Sequence, residues 1–425
     1  MKLILNKEEL LSKYSRRKAM EEDLEQKVRK IIYEVAALGD EALLKYAREF
    51  DEFKGDLNNL KVTEEEITEA YKKVDNDFLK SLRKAILRVS AFHQKQLPKS
   101  WFTTEEKGNI LGQIYTPVEV AGIYVPGGTA AYPSSVVMNA VPAKVAGVQR
   151  IVMVSPQKGE RMNPYVLVAA REAGVTEIYR VGGAHAIAAL AFGTKTIPKV
   201  DVITGPGNIY VTLAKKIVYG MVNIDMLAGP SEVVVIADSS SRPEYLAADM
   251  LSQAEHDPLA SGVVITWDEE LARRIAQKVE EYLLRLPRRE IILEALESCG
   301  GIVVVRDKEE AFSLSNRLAP EHLELMLEEP FSYLPKVKNA GAIFLGNFSP
   351  EPMGDYLAGP NHVLPTSGTS RFYSPLAVDN FLKKSSVIYY SKEGFLEDAQ
   401  DVIKLAETEG LFAHALAVKV RISNE

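Results

Sequence analysis

The sequence predicts an α/β protein with two Rossmann-like parallel-sheet domains, one inserted in the other, a helical N-terminal part and a small C-terminal tail domain. Its 425 residues exceed what one hydrophobic core supports, so two or more domains are expected. The apolar share of 46% and the charged share of 26% are typical of a globular protein. From about residue 115 onward, short apolar runs alternate with helical patterns, which is typical of βα repeats around a mostly parallel sheet.

The first 115 residues carry apolar side chains at helical spacing, and Gly39–Asp40 has the pattern of a helix stop and a new start. Thr63 and Glu66 fit a capping box that begins another helix. We therefore expect residues 1–115 to be mainly helical. The apolar stripes are Leu24, Val28, Ile31, Ile32 and Val35, and then Phe78, Leu82, Ile86, Val89 and Phe92.

Two sets of predicted strands suggest the domain layout. Residues 116–237 would form one inserted α/β domain, whereas residues 1–115 would join 238–375 in the other. The cleft between them would be lined by strand ends of both. The first set comprises Val118–Val125, Ile151–Ser155, Glu177–Val181, Val200–Thr204 and Glu232–Ala237, and the second Gly262–Thr266, Ile302–Val305 and Ala342–Leu345.

Residues 376–425 are predicted to form the separate tail domain. Ser386–Tyr390 is expected to be a strand and Leu396–Glu407 a helix, and Ala417–Ile422 has a strand-like pattern. Such a tail does not complete a fold alone, so we expect it to pack on a neighbour or on a symmetry-related copy.

Three predicted strands end in glycine turns, and in open α/β sheets ligands bind at the carboxyl ends of strands. The turns are PGGTA at 126–130, VGGAHA at 181–186 and GPGN at 205–208. Small residues let backbone N–H groups approach a phosphate there, although a tight turn alone is the simpler alternative for each. None is a G-x-G-x-x-G, because Tyr210 fills the third glycine place of GPGNIY.

Composition excludes several classes of protein. The net charge is −7 with mixed signs, which argues against a nucleic-acid footprint or a polybasic membrane anchor. No apolar run approaches the ~18–20 residues of a membrane span, and the charged N-terminus does not resemble a signal peptide. The single cysteine, Cys299, allows no internal disulfide. Together these features predict a cytoplasmic protein.

The stretch DMLSQAEHDP, residues 249–258, is the strongest candidate for a functional centre. On a helix, Gln253 and His256 would share one face, and an amide oxygen and an imidazole nitrogen can together hold a metal. Asp257–Pro258 would stop that helix. Taken alone, Q-x-x-H is more often an ordinary amphipathic helix facing water.

Further candidates lie downstream. Glu321–His322 follows the helix-ending Pro320 next to a strand, and an adjacent carboxylate and imidazole offer two proton carriers. Asp355 opens a long loop rich in Gly and Pro that also holds His362, and long loops are often functional. Gln253, His256, Asp355 and His414 would make a nitrogen and oxygen ligand set without thiolate, suited to zinc or another divalent first-row ion.

The motifs that carry these residues resemble those of the histidinol dehydrogenase family over nearly the whole chain. The matching stretches are YVPGGTAAYPSSVVMNAVPAKVAG, VGGAHAIAALAFGT, VDVITGPGNIYV, IDMLAGPSEVVVIAD, DMLSQAEHDP, NRLAPEHLEL, GAIFLGNFSPEPMGDYLAGPNHVLPT and EGLFAHALAVKVR. The resemblance implies two NAD-dependent oxidations of L-histidinol to L-histidine through histidinaldehyde, the final steps of histidine biosynthesis, with one zinc ion per subunit of a homodimer.

Carried over by motif, the resemblance also implies roles for individual residues. The zinc ligands would be Gln253, His256, Asp355 and His414, with the substrate's own imidazole and amino groups completing the coordination. Glu321 and His322 would be the acid/base pair. Substrate would also contact Ser231, His362 and Glu409, and the tail residues Glu409 and His414 would reach the partner subunit's site. Tyr124 and Asn208 would contact NAD.

One position departs from the family pattern, which usually reads VGGAQAIAA. This chain has His185 in place of that glutamine. An imidazole can still donate one hydrogen bond, so His185 is expected to contact the cofactor, although it is shorter and titratable.

Physical chemistry gives an expected mechanism. His322 would accept the hydroxyl proton of the alcohol while NAD takes the hydride. Aldehyde oxidation first requires addition of water or a thiol, and Cys299 lies outside every motif, so we expect Glu321 to activate water. Zinc would mainly position the substrate. Two other classes compete: a zinc hydrolase that uses the same metal set, and a non-catalytic two-lobed binding protein. Other amino alcohols are also conceivable substrates.

Overall fold

Fourteen strands and sixteen α-helices are present in the computed structural model, which describes residues 3–16, 22–127, 132–157 and 162–423. The chain divides into two compact units. The first unit comprises Met1–Gln96 and Val118–Phe381, and the second comprises Leu97–Pro117 and Leu382–Glu425. No helix in the described ranges is both long and apolar enough to cross a membrane.

A five-stranded, wholly parallel sheet forms one part of the first unit. Its order is β6-β5-β4-β7-β8, and Ala121 of the central strand pairs with Ile151 and Val202. The strands are β4 (Val120–Tyr124), β5 (Arg150–Val154), β6 (Glu177–Tyr179), β7 (Val202–Thr204) and β8 (Asn223–Ile224). The helices between them are α6 (Pro133–Ala146), α7 (Pro164–Ala173), α8 (Gly183–Phe192) and α9 (Ile209–Val218).

A six-stranded parallel sheet lies in the same unit, in the order β1-β11-β10-β9-β12-β13. Its strands are β1 (Ile4–Leu5), β9 (Glu232–Ala237), β10 (Ser261–Thr266), β11 (Gly301–Val304), β12 (His322–Met326) and β13 (Ala342–Leu345). The associated helices are α10 (Pro243–Ala254), α11 (Glu269–Leu283), α12 (Arg289–Ser298), α13 (Lys308–Leu318) and α14 (Glu351–Tyr356). Two parallel sheets in one chain confirm the predicted α/β class.

The strand Glu232–Ala237 differs from the sequence-based layout, which placed it with the strands before it. It is central to the six-stranded sheet, where Val234 pairs with Val263 and Leu323. All six of its residues are buried, and a continuous apolar run identifies a buried strand without showing which sheet it joins. The sheets therefore separate between Ile224 and Glu232, whereas the domain ranges 1–115 with 238–375, 116–237 and 376–425 stay predictions.

Helices make up most of the N-terminal segment, as its periodicity predicted. They are α1 (Lys7–Arg16), α2 (Glu22–Leu38), α3 (Asp40–Phe50), α4 (Glu64–Tyr71) and α5 (Asn76–Gln94). The capping box is present, since the Thr63 side chain accepts from the N–H of Glu66 and the Glu66 carboxylate accepts from the N–H of Thr63. Helices α2 and α3 pack on α8 and share its apolar core.

The second unit contains a three-stranded antiparallel sheet in the order β14-β3-β2. Its strands are β2 (Trp101–Thr104), β3 (Ile110–Pro117) and β14 (Leu382–Tyr389), and its helices are α15 (Lys392–Thr408) and α16 (Phe412–Ser423). Strands β2 and β3 interrupt the segment that was predicted to be mainly helical. The strand-like pattern of Ala417–Ile422 was misleading, because these residues continue α16, whose Ala415 packs against Ile403 and Ala406 of α15.

Candidate active site and metal centre

Glu321 and His322 lie at the amino end of β12, where α13 gives way to the sheet. That helix ends at Leu318, Ala319 adopts a left-handed conformation and Pro320 cannot continue the helix. The break that the sequence predicted is therefore present. It places the acid/base candidates at the amino edge of the six-stranded sheet, where Glu232 begins the neighbouring β9.

The imidazole of His322 is held in one tautomer. Its Nδ1 lies 2.9 Å from the carbonyl oxygen of Glu232, and because a carbonyl only accepts, Nδ1 carries the proton of the neutral ring. Nε2 then carries the lone pair and has no hydrogen-bond partner among the described residues. Burial lowers the pKa of His322 below its ordinary value. The ring is therefore neutral at pH 7 and can accept a proton at Nε2.

Glu321 is fixed by the same neighbouring strand. Its Oε2 accepts the backbone N–H of Glu232 at 2.8 Å and lies 3.6 Å from His322 Nδ1. Glu232, the first residue of β9, thus donates its N–H to Glu321 and accepts a hydrogen bond from His322 at its carbonyl oxygen. Because both side chains are buried, the backbone of β9 sets their positions.

A group of three side chains has the geometry of a metal site. One ligand atom from each of His256, Glu351 and Asp355 lies within 4.8 Å of the others. Glu351 and Asp355 stand four apart on the short helix α14, so they share a face. The sequence had placed Asp355 at the opening of a loop, but Asp355 lies inside this helix, and the loop with His362 follows it.

Gln253 stands beside this group. Helix α10 ends at Ala254, so His256 lies just beyond the helix and not on its face as the spacing suggested. Gln253 is fully buried, and its amide orientation, assigned from its partners, places the nitrogen 2.7 and 3.0 Å from Glu351 Oε1 and Oε2. The oxygen is then the amide atom that remains to bind a cation. The structure brings together Gln253, His256 and Asp355 from the predicted ligand set and adds Glu351.

Buried carboxyl groups surround the metal-site candidates. Glu324 Oε1 accepts the N–H of Glu351 at 2.8 Å. Burial, followed by the charges of neighbouring carboxylates, raises the pKa of Glu324 and of Glu351 well above the ordinary value. Burial also raises the pKa of Asp249 to about 6. Ionised carboxylates in low dielectric need a compensating cation, so this donor set fits a divalent metal.

Two predicted substrate contacts lie in the first unit. His362 Nδ1 donates to the backbone oxygen of Asp355 at 3.1 Å, and burial lowers the pKa of His362. Its neighbour Asn361 donates to His93 Nε2 at 3.3 Å and to the Met138 oxygen at 2.6 Å, which fixes the loop. Ser231 directly precedes β9, and its carbonyl accepts the N–H of Ser261 at 3.0 Å.

The glycine turns follow β4, β6 and β7 at the carboxyl edge of the five-stranded sheet. Residues 128–130 of the first turn lie outside the described residues. Tyr124 ends β4, and its hydroxyl accepts the N–H of Gly183 at 3.2 Å, while burial raises the pKa of Tyr124 to about 12. Asn208 caps α9 by accepting the N–H groups of Tyr210 and Val211. A Cβ on Gly205, whose φ is +114°, would lie 2.1 Å from the Tyr124 oxygen, so only glycine fits.

His185 occupies the first turn of α8 and is fully buried. Its Nε2 lies 2.9 Å from Asp51 Oδ2, a residue that follows α3. Nδ1 has no hydrogen-bond partner in the described part of the chain. The hydrogen bond to Asp51 therefore gives this imidazole a possible structural role besides contact with a cofactor.

The remaining predicted residues belong to the second unit. Glu409 follows α15, His414 lies on α16, and both are exposed. Their predicted roles in substrate and metal binding stay predictions.

Sequence reasoning missed Glu351, Glu324 and Asp249, although periodicity held a signal for each. Glu351 stands four residues before Asp355 in a segment with prolines at a helix start. Asp249 stands four before Gln253 on a helix, and Glu324 two after His322 on a strand, so each shares a face with a predicted residue. Asp51 gave no such signal, because it is 134 residues from His185.

A buried neutral base and glycine turns at the carboxyl ends of parallel strands are features expected of the class of nicotinamide-dependent α/β dehydrogenases. The family profile described as histidinol dehydrogenase matches residues 14–422. The chain belongs to the histidinol dehydrogenase family, whose members are NAD-dependent oxidoreductases of histidine biosynthesis. This confirms the predicted family and enzyme class and decides against the hydrolase and binding-protein alternatives.

Individual relatives agree with this assignment. Histidinol dehydrogenase of Carboxydothermus hydrogenoformans is 87% identical over 425 residues, which is 100% of both chains. That of Geobacter metallireducens is 54% identical over 404 residues, covering 95% of this chain and 93% of the relative. The crystal structure of histidinol dehydrogenase from Elizabethkingia anophelis matches with a TM-score of 0.90 at 39% identity, covering 95% of this chain and 93% of that one.

Proposed function

We propose that the protein oxidises L-histidinol to L-histidine in two NAD-dependent steps through histidinaldehyde, with zinc as its metal. The observation that carries this proposal is His322, whose buried Nε2 has a lone pair and no partner among the described residues. Family membership supplies the substrate class and the NAD cofactor. The cytoplasm, where such biosynthetic oxidations take place, is the proposed compartment.

His322 and Glu321 would divide the proton transfers between them. In the first oxidation, His322 Nε2 accepts the hydroxyl proton as hydride leaves the carbinol carbon for NAD, which gives the aldehyde. Water would then add to the aldehyde carbon, with Glu321 accepting a proton from the water and the protonated His322 returning its proton to the carbonyl oxygen, which forms the gem-diol and leaves His322 neutral again. His322 accepts a gem-diol proton as the second hydride leaves for a second NAD, and the carboxylic acid forms.

Gln253, His256 and Asp355 would hold the zinc ion, with Glu351 beside them. The clustered carboxyl oxygens and the exposed imidazole of His256 fit such an ion. When bound, zinc supplies a template that fixes the imidazole and amino groups of the substrate. Ser231 and His362 would bind the substrate from the same unit, and Tyr124 and Asn208 would contact NAD beside the glycine turn that precedes His185.

A homodimer would complete the site. We propose that the tail of a second copy brings Glu409 to the substrate and His414 to the metal. Both side chains are exposed in the second unit, which leaves them available to another chain. A fourth ligand from a partner would complete the four-coordinate geometry that zinc prefers when substrate is absent.

The decisive experiment measures NADH formed per L-histidinol consumed, with zinc and then with a chelator. Two NADH per histidinol, lost on chelation and restored by zinc, is the expected result. One NADH would mean that the aldehyde is released and that the role of Glu321 is wrong. No NADH from the zinc-loaded protein would overturn the proposal.

Glu321→Gln separates the two oxidations. The variant keeps an acceptor for the Glu232 N–H but loses the base for water, so aldehyde oxidation should slow more than alcohol oxidation. Single-turnover kinetics started from histidinol and from histidinaldehyde would measure both steps. Equal slowing would give Glu321 another role.

A further inference from the structure

Asp51 connects the N-terminal helical segment to the glycine turn VGGAHA at residues 181–186. It follows α3, and its side chain is only 7% exposed. The carboxylate oxygen Oδ2 accepts two hydrogen bonds, from the backbone N–H of Gly182 and from His185 Nε2, each at 2.9 Å. One buried oxygen thus ties the backbone of the turn to the imidazole in the first turn of α8.

The turn itself has no side chain of its own to fix it. Gly182 occupies the N-cap position of α8 without a side-chain cap bond, and Gly183 has a φ of +58°. Their N–H groups are instead bound by Asp51 and by the Tyr124 hydroxyl. A Cβ on Gly182 would lie 2.6 Å from Pro156 Cβ, so a larger capping residue does not fit. The turn therefore depends on distant residues for its conformation.

His185 completes this arrangement from inside the core. Its ring packs against Tyr46 and Phe50 of α3, with ring centroids 6.2 Å apart in both cases. Because a carboxylate only accepts, the hydrogen bond to Asp51 requires a proton on Nε2. The imidazole is fully buried, and the hydrogen bond that its Nε2 makes goes to Asp51.

We propose that Asp51 and His185 are positioning residues that hold the Gly182–Gly183 turn in the conformation that binds NAD, and that His185 does not contact the cofactor directly. The proposal rests on the NAD site of the proposed function and deepens it. It also explains how a histidine replaces the glutamine expected here: either side chain offers an N–H donor to Asp51.

The test measures the Kd for NAD of the zinc-loaded, full-length protein by calorimetry. Asp51→Asn and His185→Ala should each raise the Kd about tenfold, and the double variant should be no weaker than either single one. His185→Gln should stay within about threefold of the parent, because its amide can donate to Asp51. KM for NAD should rise with kcat unchanged, and the Kd for histidinol should not move.

Asp40→Asn is the matched control. Asp40 stands at the other end of α3, where its carboxylate accepts from the hydroxyl and N–H of Thr196, beyond the end of α8. It therefore contributes to the same helix packing without contacting the glycine turn. Its substitution should leave the Kd for NAD unchanged even where it lowers the melting temperature.

The possible outcomes are distinct. Weakening by His185→Ala but not by Asp51→Asn would mean that His185 contacts NAD directly, and would overturn the proposal. Equal loss of NAD and histidinol affinity, shared by Asp40→Asn, would mean a purely structural role. If Asp51→Asn does not fold, His185→Ala is still sufficient as a test, because an unchanged Kd for NAD in that variant would overturn the proposal. A parent protein that binds no NAD would instead refute the proposed function.

Discussion

The two parallel sheets of the first unit carry their candidate functional residues at opposite edges, the five-stranded sheet at its carboxyl edge and the six-stranded sheet at its amino edge. In the five-stranded sheet, β4, β6 and β7 run at their carboxyl ends into glycine turns, so the backbone faces the proposed cofactor. In the six-stranded sheet, β9 and β12 begin at Glu232 and His322, so side chains at the amino ends would supply the proposed chemistry. Backbone recognition requires the absence of Cβ atoms, whereas proton transfer and metal binding require buried polar side chains.

The two edges also differ in how buried charge is balanced. At the GPGN turn, the carboxylate of Asp225 pairs with Lys215 and accepts the N–H of Gly205, and Lys215 donates to the Gly205 oxygen. At the amino edge, burial and neighbouring carboxylates raise the pKa of Glu324 and Glu351. The buried charge at the GPGN turn is thus balanced within the protein, whereas the acidic edge would need the proposed cation to balance its carboxylates.

The largest effect is expected from His322→Asn at the acidic edge. Asparagine can still donate to the Glu232 oxygen but has no lone-pair nitrogen, so kcat should fall by about 10²–10⁴-fold. The Kd for NAD should be unchanged, because the glycine edge is untouched. Steady-state NADH formation and calorimetry measure the two quantities. Retention of more than a tenth of kcat would remove His322 as the base.

A large effect on metal affinity is expected from Glu351→Ala. Loss of the carboxylate that accepts the Gln253 amide should weaken zinc binding by about 10–100-fold, while NAD affinity is retained. Competition with a chromophoric chelator gives the zinc affinity. Glu329→Ala, at an exposed acid, is the control. A parallel loss of NAD affinity would show that the two edges are not independent.

Gly205→Ala tests the glycine edge in the same way. The added Cβ would meet the Tyr124 oxygen at 2.1 Å, whereas the same change at Gly220 meets nothing within 4 Å at a similar positive φ. Backbone strain alone costs roughly 1–2 kcal/mol, and overpacking adds about 1–3 kcal/mol at Gly205. Urea unfolding measures this difference. NAD binding should weaken only in Gly205→Ala, and equal effects would contradict the close-approach argument.

The sequence predicted the features that depend on local periodicity. The βα alternation, the break at Pro320 and the glycine turns after β6 and β7 all follow from residue spacing. It misassigned β9, because a fully buried strand shows no alternation that would identify its neighbours. It also missed the Asp51–His185 and Glu232–His322 contacts, since residues far apart in sequence meet only after the chain folds.

A smaller, pH-dependent effect is expected from Asp249→Asn in the zinc-free protein. Because burial raises the pKa of Asp249 from 3.8 to about 6, the folded state holds its proton while the unfolded state loses it. This destabilises the fold as pH rises above 3.8, with the full effect above about pH 6. The variant should therefore be more stable than the parent at pH 8, by on the order of 3 kcal/mol at most.

Urea titrations at pH 4.5 and pH 8 would measure this stabilisation, which should shrink at the lower pH. With zinc bound, the parent should be more stable than Asp249→Asn at pH 8, because the cation compensates the negative charge of Asp249. A stabilisation that is equal at both pH values would mean that the acidic edge carries no excess charge, and the contrast between the two edges would fail.

The smallest effect is expected from Cys299→Ser. Cys299 follows α12 and lies next to β11, near the amino edge of the six-stranded sheet, but β10 and β9 separate that strand from β12. Its thiol is buried, and its backbone oxygen accepts the Ser261 hydroxyl at 2.9 Å. The variant should keep two NADH per histidinol and a kcat within about twofold. Loss of the second NADH alone would show that aldehyde oxidation uses the thiol, which would extend the chemistry of the acidic edge beyond His322 and Glu321.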